Sequence, residues 1–450
     1  MKLDQTNNLR TFAHQQRQTL FNQLPDNSAV LVSSGHEKIR NRDVEYPFRA
    51  DSDFSFLTGF YEPDSVLLLV KKQQNQSVIF VRPKDTEQET WQGRRMGVEM
   101  APQILALEQA FSIDALDQTV AEYLENIEHL YFSFSQMSLW SAKIENWVQG
   151  LKSKVRQGIS APTQLCDLDA LLHENRVIKS PQEIKWLRHA AQISVAGHLA
   201  AMRAVQPGLY EFQVQAELEN TFKNLGSPRV AFSTIAASGE NACILHYTEN
   251  TDLIGEHHLV LLDAGAEIHG YAGDITTTFP ASGRFTKAQS QLYSFVLKAQ
   301  QAAINAIEPG VAYNEPHQAV VQVLTSGLLE LGVLKGDMET LMTNEAYKAF
   351  FMHGTGHWLG LDVHDVGAYK EGGEWRDLKP GMVLTIEPGL YIAPKTPGVD
   401  ERWLGIGIRI EDDVLVTEDG CEVLTQGLPR TVADIEAWMA QNNAFANLKP

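Results

Sequence analysis

The sequence predicts an α+β chain in two parts, a smaller mixed α/β domain over residues 1–175 and a larger, duplicated α+β domain over residues 176–450. Three observations lead there. At 450 residues the chain exceeds one ordinary domain. The run Ser180-Pro181-Gln182-Glu183 combines an N-cap hydroxyl, a proline at the first helical position and a glutamate placed to close a capping box, which marks a junction at roughly 174–180. Beyond it, helical stretches alternate twice with paired strands, in the order helices, hairpin, helices, hairpin.

In the first domain, residues 29–33, 65–70 and 77–81 are short β-type runs, and the polar stretch 71–76 joins the last two as a hairpin. Helical periodicity follows over 115–127 and 138–152. The helix opened at Pro181 should run to about Val205, where Pro207-Gly208 ends it. Later helical segments are 209–225, 286–307, 314–331 and 337–351, and strand pairs lie around 259–279 and 382–416. The two halves share no run of identical residues, so only the order of elements suggests a duplication.

Composition narrows the function classes. With 37 basic and 56 acidic residues the net charge is −19, a poor field for nucleic-acid phosphates or anionic lipid. No stretch of 18 uncharged apolar residues occurs, so no membrane span is expected, and the Asn-, Gln- and Arg-rich first 24 residues lack the apolar core of a secretory signal. The cysteines, Cys166, Cys243 and Cys421, are far apart and odd in number, which excludes a disulfide scaffold or a cysteine-rich zinc module. These features predict a cytoplasmic multidomain enzyme.

The informative residues are acids on strands. Leu259-Val260-Leu261-Leu262-Asp263-Ala264 is an apolar run carrying Asp263, and the following strand, 271–279, carries Asp274. A hairpin centred between Ile268 and His269 would set the two acids directly opposite each other, about 5 Å apart. In the second strand pair, Leu384 and Ile386 share one face while Thr385 and Glu387 share the other; likewise Ile406, Ile408 and Ile410 oppose Arg409 and Glu411. One such acid is readily explained as the solvent-facing residue of a half-exposed strand. Four together repel one another, and a cation among them resolves the cost.

Between the hairpins, the run HGTGHWLGLDVHDVG over residues 353–367 holds His353, His357 and His364. Gly354, Gly356 and Gly360 argue against a helix, so His353 and His357 are not a helical zinc pair, while glycine lets backbone approach a buried ion. Neither this run nor Gly405-Ile406-Gly407 has the strand–turn–helix context of a dinucleotide loop. One histidine with four carboxylates is a hard-leaning ligand set that suits Mn²⁺ or another divalent ion better than it suits the soft chemistry of a thiolate-rich zinc site, and ligand type alone does not fix the metal. Five such side chains can hold two ions about 3.5–4 Å apart, which acidify a shared water and polarise a carbonyl. Metal-assisted hydrolysis is the class that follows.

These residues, with the segments HGTGHWLGLDVHDVG and GIGIRIEDD and the N-terminal NRDVEYPFRADSDFSFLTGF and TWQGRR, resemble the pita-bread metallopeptidases, and within them the aminopeptidase P group, over the whole chain. The resemblance implies that Asp263 chelates one ion, that Asp274 and Glu411 bridge two, and that His357 and Glu387 hold the second. The ions would be Mn²⁺, with Zn²⁺, Co²⁺ or Fe²⁺ as alternatives. A bridging hydroxide would attack the scissile carbonyl while Glu387 manages its proton. His246, His353 and His364 would line the substrate pocket and bind the substrate and its oxyanion, with Arg409 and Tyr391 close by. Trp91 would reach a neighbouring subunit's active site, implying a homo-oligomer, a dimer or tetramer. The implied substrate is a peptide with proline second, cleaved to release the first residue. Prolidase, which has the same centre but acts on dipeptides, is the alternative activity. Members of this fold that have lost their ligands and only bind peptides supply a non-catalytic reading, against which all five ligand types stand.

Overall fold

The computed structural model describes residues 3–441. The chain divides into two compact units between Asn175 and Arg176. Among the described residues no helix is long and apolar enough to cross a membrane.

The first unit is built on a six-stranded mixed sheet. β1 (Ser28–Ser33) pairs antiparallel with β2 (Val66–Lys71), which turns back into β3 (Asn75–Val81). β4 (Gln109–Ser112) joins β3, β5 (His129–Phe132) joins β1 and β6 (Gln164–Asp167) joins β5, all parallel, so the order is β4-β3-β2-β1-β5-β6. β1 is buried throughout and β2 up to Val70, as continuous apolar runs require. Against Leu31, Leu68, Val70 and Phe80 pack Trp140, Ile144, Trp147 and Leu151, the apolar stripe of the helix Met137–Ser153. The polar N-terminal stretch forms a helix, Leu3–Gln23, that the composition did not announce. Its Leu9, Phe12, Ala13, Leu20 and Phe21 are buried, and the Arg17 guanidinium donates to the carbonyls of Leu57, Leu105 and Ala106.

The second unit repeats one plan. α1 (Pro181–Ala204) packs on α2 (Glu211–Asn224), and the chain continues into β7 (Ile235–Ser238), β8 (Leu259–Ala264) and β9 (Ile275–Pro280), with β8 central and antiparallel to both neighbours. α3 (Lys287–Asn305) then packs on α4 (Glu315–Glu330). The strands that follow are β10 (Val383–Ile386), β11 (Gly389–Ile392), β12 (Ile406–Arg409), β13 (Asp412–Thr417) and β14 (Gly420–Val423), paired as β10-β13-β14 and β11-β12. The capping box at Ser180 is formed, with both reciprocal hydrogen bonds. The helix expected over 337–351 is two short pieces, Met338–Thr343 and the 3₁₀ turn Ala346–Ala349, because Glu345 between them takes a left-handed conformation (φ 50°).

The first hairpin differs from expectation in register. Its turn is His269-Gly270, both with positive φ (53° and 86°), between the paired Ile268 and Tyr271. Two left-handed residues make the two-residue turn that matches strand twist, and a histidine in its first position hid the signal. The hairpin therefore centres one residue later than expected, and Asp263 faces Thr276 rather than Asp274. In the second half, β10 pairs with β13 (Ile386↔Asp412) and β11 with β12 (Gly389↔Arg409) in one continuous register, which sets Glu387 across from Glu411 at the break between them.

Candidate metal centre

The two strand systems meet edge to edge: Glu411 N–H donates to Thr276 O, and Thr278 Oγ1 to Arg409 O. Beside that seam lies a cavity of about 640 Å³ whose lining includes Asp263, Asp274, His357, Glu387 and Glu411 together with His246, His353, His364 and Arg409. Leu384, Ile386, Ile408 and Ile410 point the other way into the core, as strand alternation demands.

Asp274, His357 and Glu411 offer ligand atoms that all lie within 4.8 Å of one another. His357 Nε2 is 3.5 Å from Asp274 Oδ2 and 3.7 Å from Glu387 Oε1. Its Nδ1 donates to Trp358 O at 3.0 Å, which leaves Nε2, turned to the carboxylates, as the nitrogen free to take a proton or a metal ion. Glu411 Oε2 accepts from Thr276 Oγ1 at 2.6 Å, and Asp263 Oδ2 receives Arg409 Nη2 at 2.5 Å. The other oxygen of Asp263, Oδ1, is buried with no hydrogen-bond partner.

Four carboxylates thus share the cavity with one guanidinium. Burial first, then the neighbouring acids, push Asp274 up to about 6 and Glu387 up to about 7, and hold Glu411 well above the usual carboxylate range. Burial opposes a charge on His357, yet Asp274 and Glu387 raise it to about 9. Such a set holds protons for want of other positive charge. With the orphaned Asp263 oxygen and Nε2 of His357, whose proton an ion would displace, it fits divalent cations held by oxygen and imidazole.

The other expected residues take distinct places. His364 stands edge-on to His357, ring centroids 4.3 Å apart, and is shifted down by burial and by His357, which keeps it neutral. His246 lines the cavity on a loop anchored by the buried Glu211, whose carboxylate accepts from Ser238 N–H, Asn241 Nδ2, Tyr247 Oη and Asp252 N–H. His353 has both nitrogens engaged: Nδ1 donates to Gly354 O at 2.7 Å and Nε2 accepts from Tyr391 Oη at 2.8 Å. Both ring nitrogens thus have protein partners, and the ring lines the cavity. Tyr391 does not line the cavity but stands behind it, where its Oη also accepts from Arg409 Nη1 at 3.0 Å. Trp91, on the helix Thr86–Gln92 of the first unit, is 82% exposed.

Residues 185–418 match the family model of metallopeptidase family M24, and residues 13–131 match that of the aminopeptidase P N-terminal domain. The chain belongs to metallopeptidase family M24. This M24 metallopeptidase has the pita-bread fold in its larger unit, which follows in sequence an α/β domain of the aminopeptidase P type. It is 44% identical over 426 residues to an Xaa-Pro aminopeptidase of Haemophilus influenzae, covering 94% of this chain and 96% of the relative. Identity to the Xaa-Pro aminopeptidase of Escherichia coli is 43% over 425 residues, with the same coverage. Among solved structures, Pseudomonas aeruginosa aminopeptidase PepP superposes with a TM-score of 0.94 at 46% identity, covering 96% of this chain and 98% of that one. Zinc-substituted E. coli aminopeptidase P in complex with product gives 0.93 at 42% identity, with the same coverage.

Sequence reasoning missed the residues that hold the ligands. Thr276 ties Glu411 to Arg409, since its Oγ1 accepts from Arg409 Nε at 3.0 Å while donating to Glu411. Thr385 Oγ1 accepts from His357 N–H at 3.2 Å and lies 3.5 Å from Glu387 Oε1. His198 on α1 meets Thr277 Oγ1 and Ala264 O from below the β8-β9 pair. Thr385 shares a strand face with Glu387 and Thr276 faces Asp263 only in the observed register, so neither threonine stood out from the sequence. His198 carries no signal either.

Proposed function

We propose that this M24 metallopeptidase is an Xaa-Pro aminopeptidase: it hydrolyses the bond between the first residue of a peptide and a proline in second position, releasing that first residue. The observation that carries the reading is the convergence of Asp263, Asp274, His357, Glu387 and Glu411 on one cavity, in a chain related over nearly its whole length to Xaa-Pro aminopeptidases.

In this reading those five residues would hold two divalent ions, and the oxygen-rich set favours Mn²⁺. When bound, the ions supply an acidified water and a Lewis acid for the scissile carbonyl. Glu387 borders the ligand cluster with one oxygen 3.7 Å from His357 Nε2 and the other 3.5 Å from His353 Nδ1, a position from which it takes the attacking water's proton and returns it to the leaving proline nitrogen. His246 and the neutral His364 donate to substrate carbonyl oxygens, where charge develops in the transition state. Arg409 holds Asp263 in place, and Tyr391 holds both Arg409 and the ring of His353. Phe232, Ile235, Leu245 and Val363 give the cavity an apolar wall for the pyrrolidine ring, whose tertiary amide offers no N–H.

The exposed Trp91 supports a homo-oligomer in which this side chain is covered by a partner subunit. All three cysteines are unpaired, which supports a reducing compartment, the cytoplasm. The reading is tested by comparing rates on an Xaa-Pro dipeptide and the matched Xaa-Pro-Yaa tripeptide, with and without chelator. Chelator-sensitive cleavage of the tripeptide is expected; cleavage of the dipeptide alone would make the enzyme a prolidase.

A further inference from the structure

The loop that carries His364 ends on a buried ion network that none of these roles uses. Asp365 turns its carboxylate inward, where Lys179 Nζ lies 2.8 Å from Oδ2 and Arg176 Nη2 lies 2.6 Å from Oδ1. The same Arg176 nitrogen lies 2.7 Å from Oδ2 of Asp362. The side chains of Asp365, Lys179 and Arg176 are each at most 3% exposed.

Both sides of this network are fixed. Lys179 N–H donates to Gly381 O at 2.8 Å, and the next residue, Ser180, caps α1. On the loop side, Asp365 N–H donates to Trp358 O at 2.8 Å and Gly360 N–H to Asp362 O at 3.1 Å, so backbone bonds close the turn from which the carboxylate projects. Gly360 makes room for it, since a Cβ there would fall 2.1 Å from Asp365 Oδ2. Buried ion clusters are poor stabilisers, because desolvation cancels much of the attraction, but they tolerate few geometries. This one fixes residue 365 and, through it, the residue whose ring meets His357.

We infer that Asp365, clamped by Lys179 and Arg176, is a positioning residue that sets how His364 meets the substrate carbonyl. The inference rests on the reading of the cavity as an Xaa-Pro peptidase site. It is tested by a double-mutant cycle of Asp365→Asn and His364→Ala in the metal-loaded enzyme, reading kcat/KM on an Xaa-Pro-Yaa tripeptide, metal stoichiometry and Tm for each variant. Small misplacements of a catalytic group are costly, so Asp365→Asn alone should lower kcat/KM about 10- to 100-fold with metal stoichiometry unchanged. In the His364→Ala background the same substitution should change it by less than about twofold. A purely structural role would lower Tm in both backgrounds without this coupling. Should Asp365→Asn fail to fold, Gly360→Ala, which crowds the carboxylate and keeps every charge, goes through the same cycle with the same expectation. Equal losses in both backgrounds, or an unchanged rate in the single variant, overturn the positioning role. An unsubstituted enzyme that leaves the tripeptide intact overturns the functional reading instead.

Discussion

Glu387 and His364 lie in the same cavity with different duties, and substitution should separate them. Glu387→Ala removes the group that manages the proton as well as a ligand; turnover should fall by at least about 10³-fold while the far-ultraviolet spectrum stays that of the native chain. Near-native rates with metal still bound would remove Glu387 from its role. His364→Ala should lower kcat/KM about 10²-fold or more and leave metal stoichiometry intact, because its ring stands beside His357 rather than among the carboxylates; loss of metal would move it into the coordination shell. Thr276→Val keeps shape and deletes the hydroxyl that donates to Glu411 and accepts from Arg409, so metal affinity should drop about 10- to 100-fold, measured by titration of the chelated enzyme. Asp263 stood out in the sequence because it interrupts a continuous apolar run, and Asp274, Glu387 and Glu411 because acids recur at strand positions within one region. Thr276 and Thr385 break nothing, since threonine is an ordinary strand residue.

Among the elements, most strands and helices of the second unit could be read from periodicity, and α1 from its capping box. The register of the β8-β9 hairpin could not, because its turn depends on a histidine in a left-handed conformation. Gly270→Ala should destabilise the chain by about 1–2 kcal/mol through the strained positive φ, and by more through the approach of Leu361 Cδ2, 2.9 Å from the added Cβ. An unchanged denaturation midpoint would contradict the turn assignment. His198 was equally invisible, since one histidine on a buried helix face is usually a packed residue. Burial lowers it to about 4, so it folds neutral between Thr277 and Ala264. Its contribution is present above about pH 6.5 and is lost as the pH falls toward 4, up to about 3 kcal/mol in all. His198→Gln should therefore lose less stability than the unsubstituted chain between pH 7 and pH 4.5 in urea titrations; parallel curves would contradict a neutral buried imidazole.

Over the whole molecule, the family resemblance was legible because its motifs are local runs, whereas the convergence of three distant segments on one cavity is a property of the fold. The charge excess at that convergence predicts how stability responds to metal and pH together. With ions removed, Asp274 and Glu387 bind protons up to about 6 and about 7, above their unfolded values of 3.8 and 4.5. Their share of stability in the chelated chain is complete below about pH 4 and is lost as the pH rises through 6 to 7. Ions replace those protons, so the gap in Tm between loaded and chelated protein should widen from pH 5 to pH 7.5. A gap that stays constant or narrows would mean that these acids are not the ligands.

The most direct measurement is a metal titration of the chelated enzyme, following bound Mn²⁺ per chain and cleavage of an Xaa-Pro-Yaa tripeptide in the same samples. Activity absent from the ion-free protein and climbing to a plateau as binding approaches two ions per chain is the predicted result. Full cleavage by a chain shown to hold no divalent ion, or saturation of activity with no ion bound at Asp274, His357 and Glu411, would contradict it.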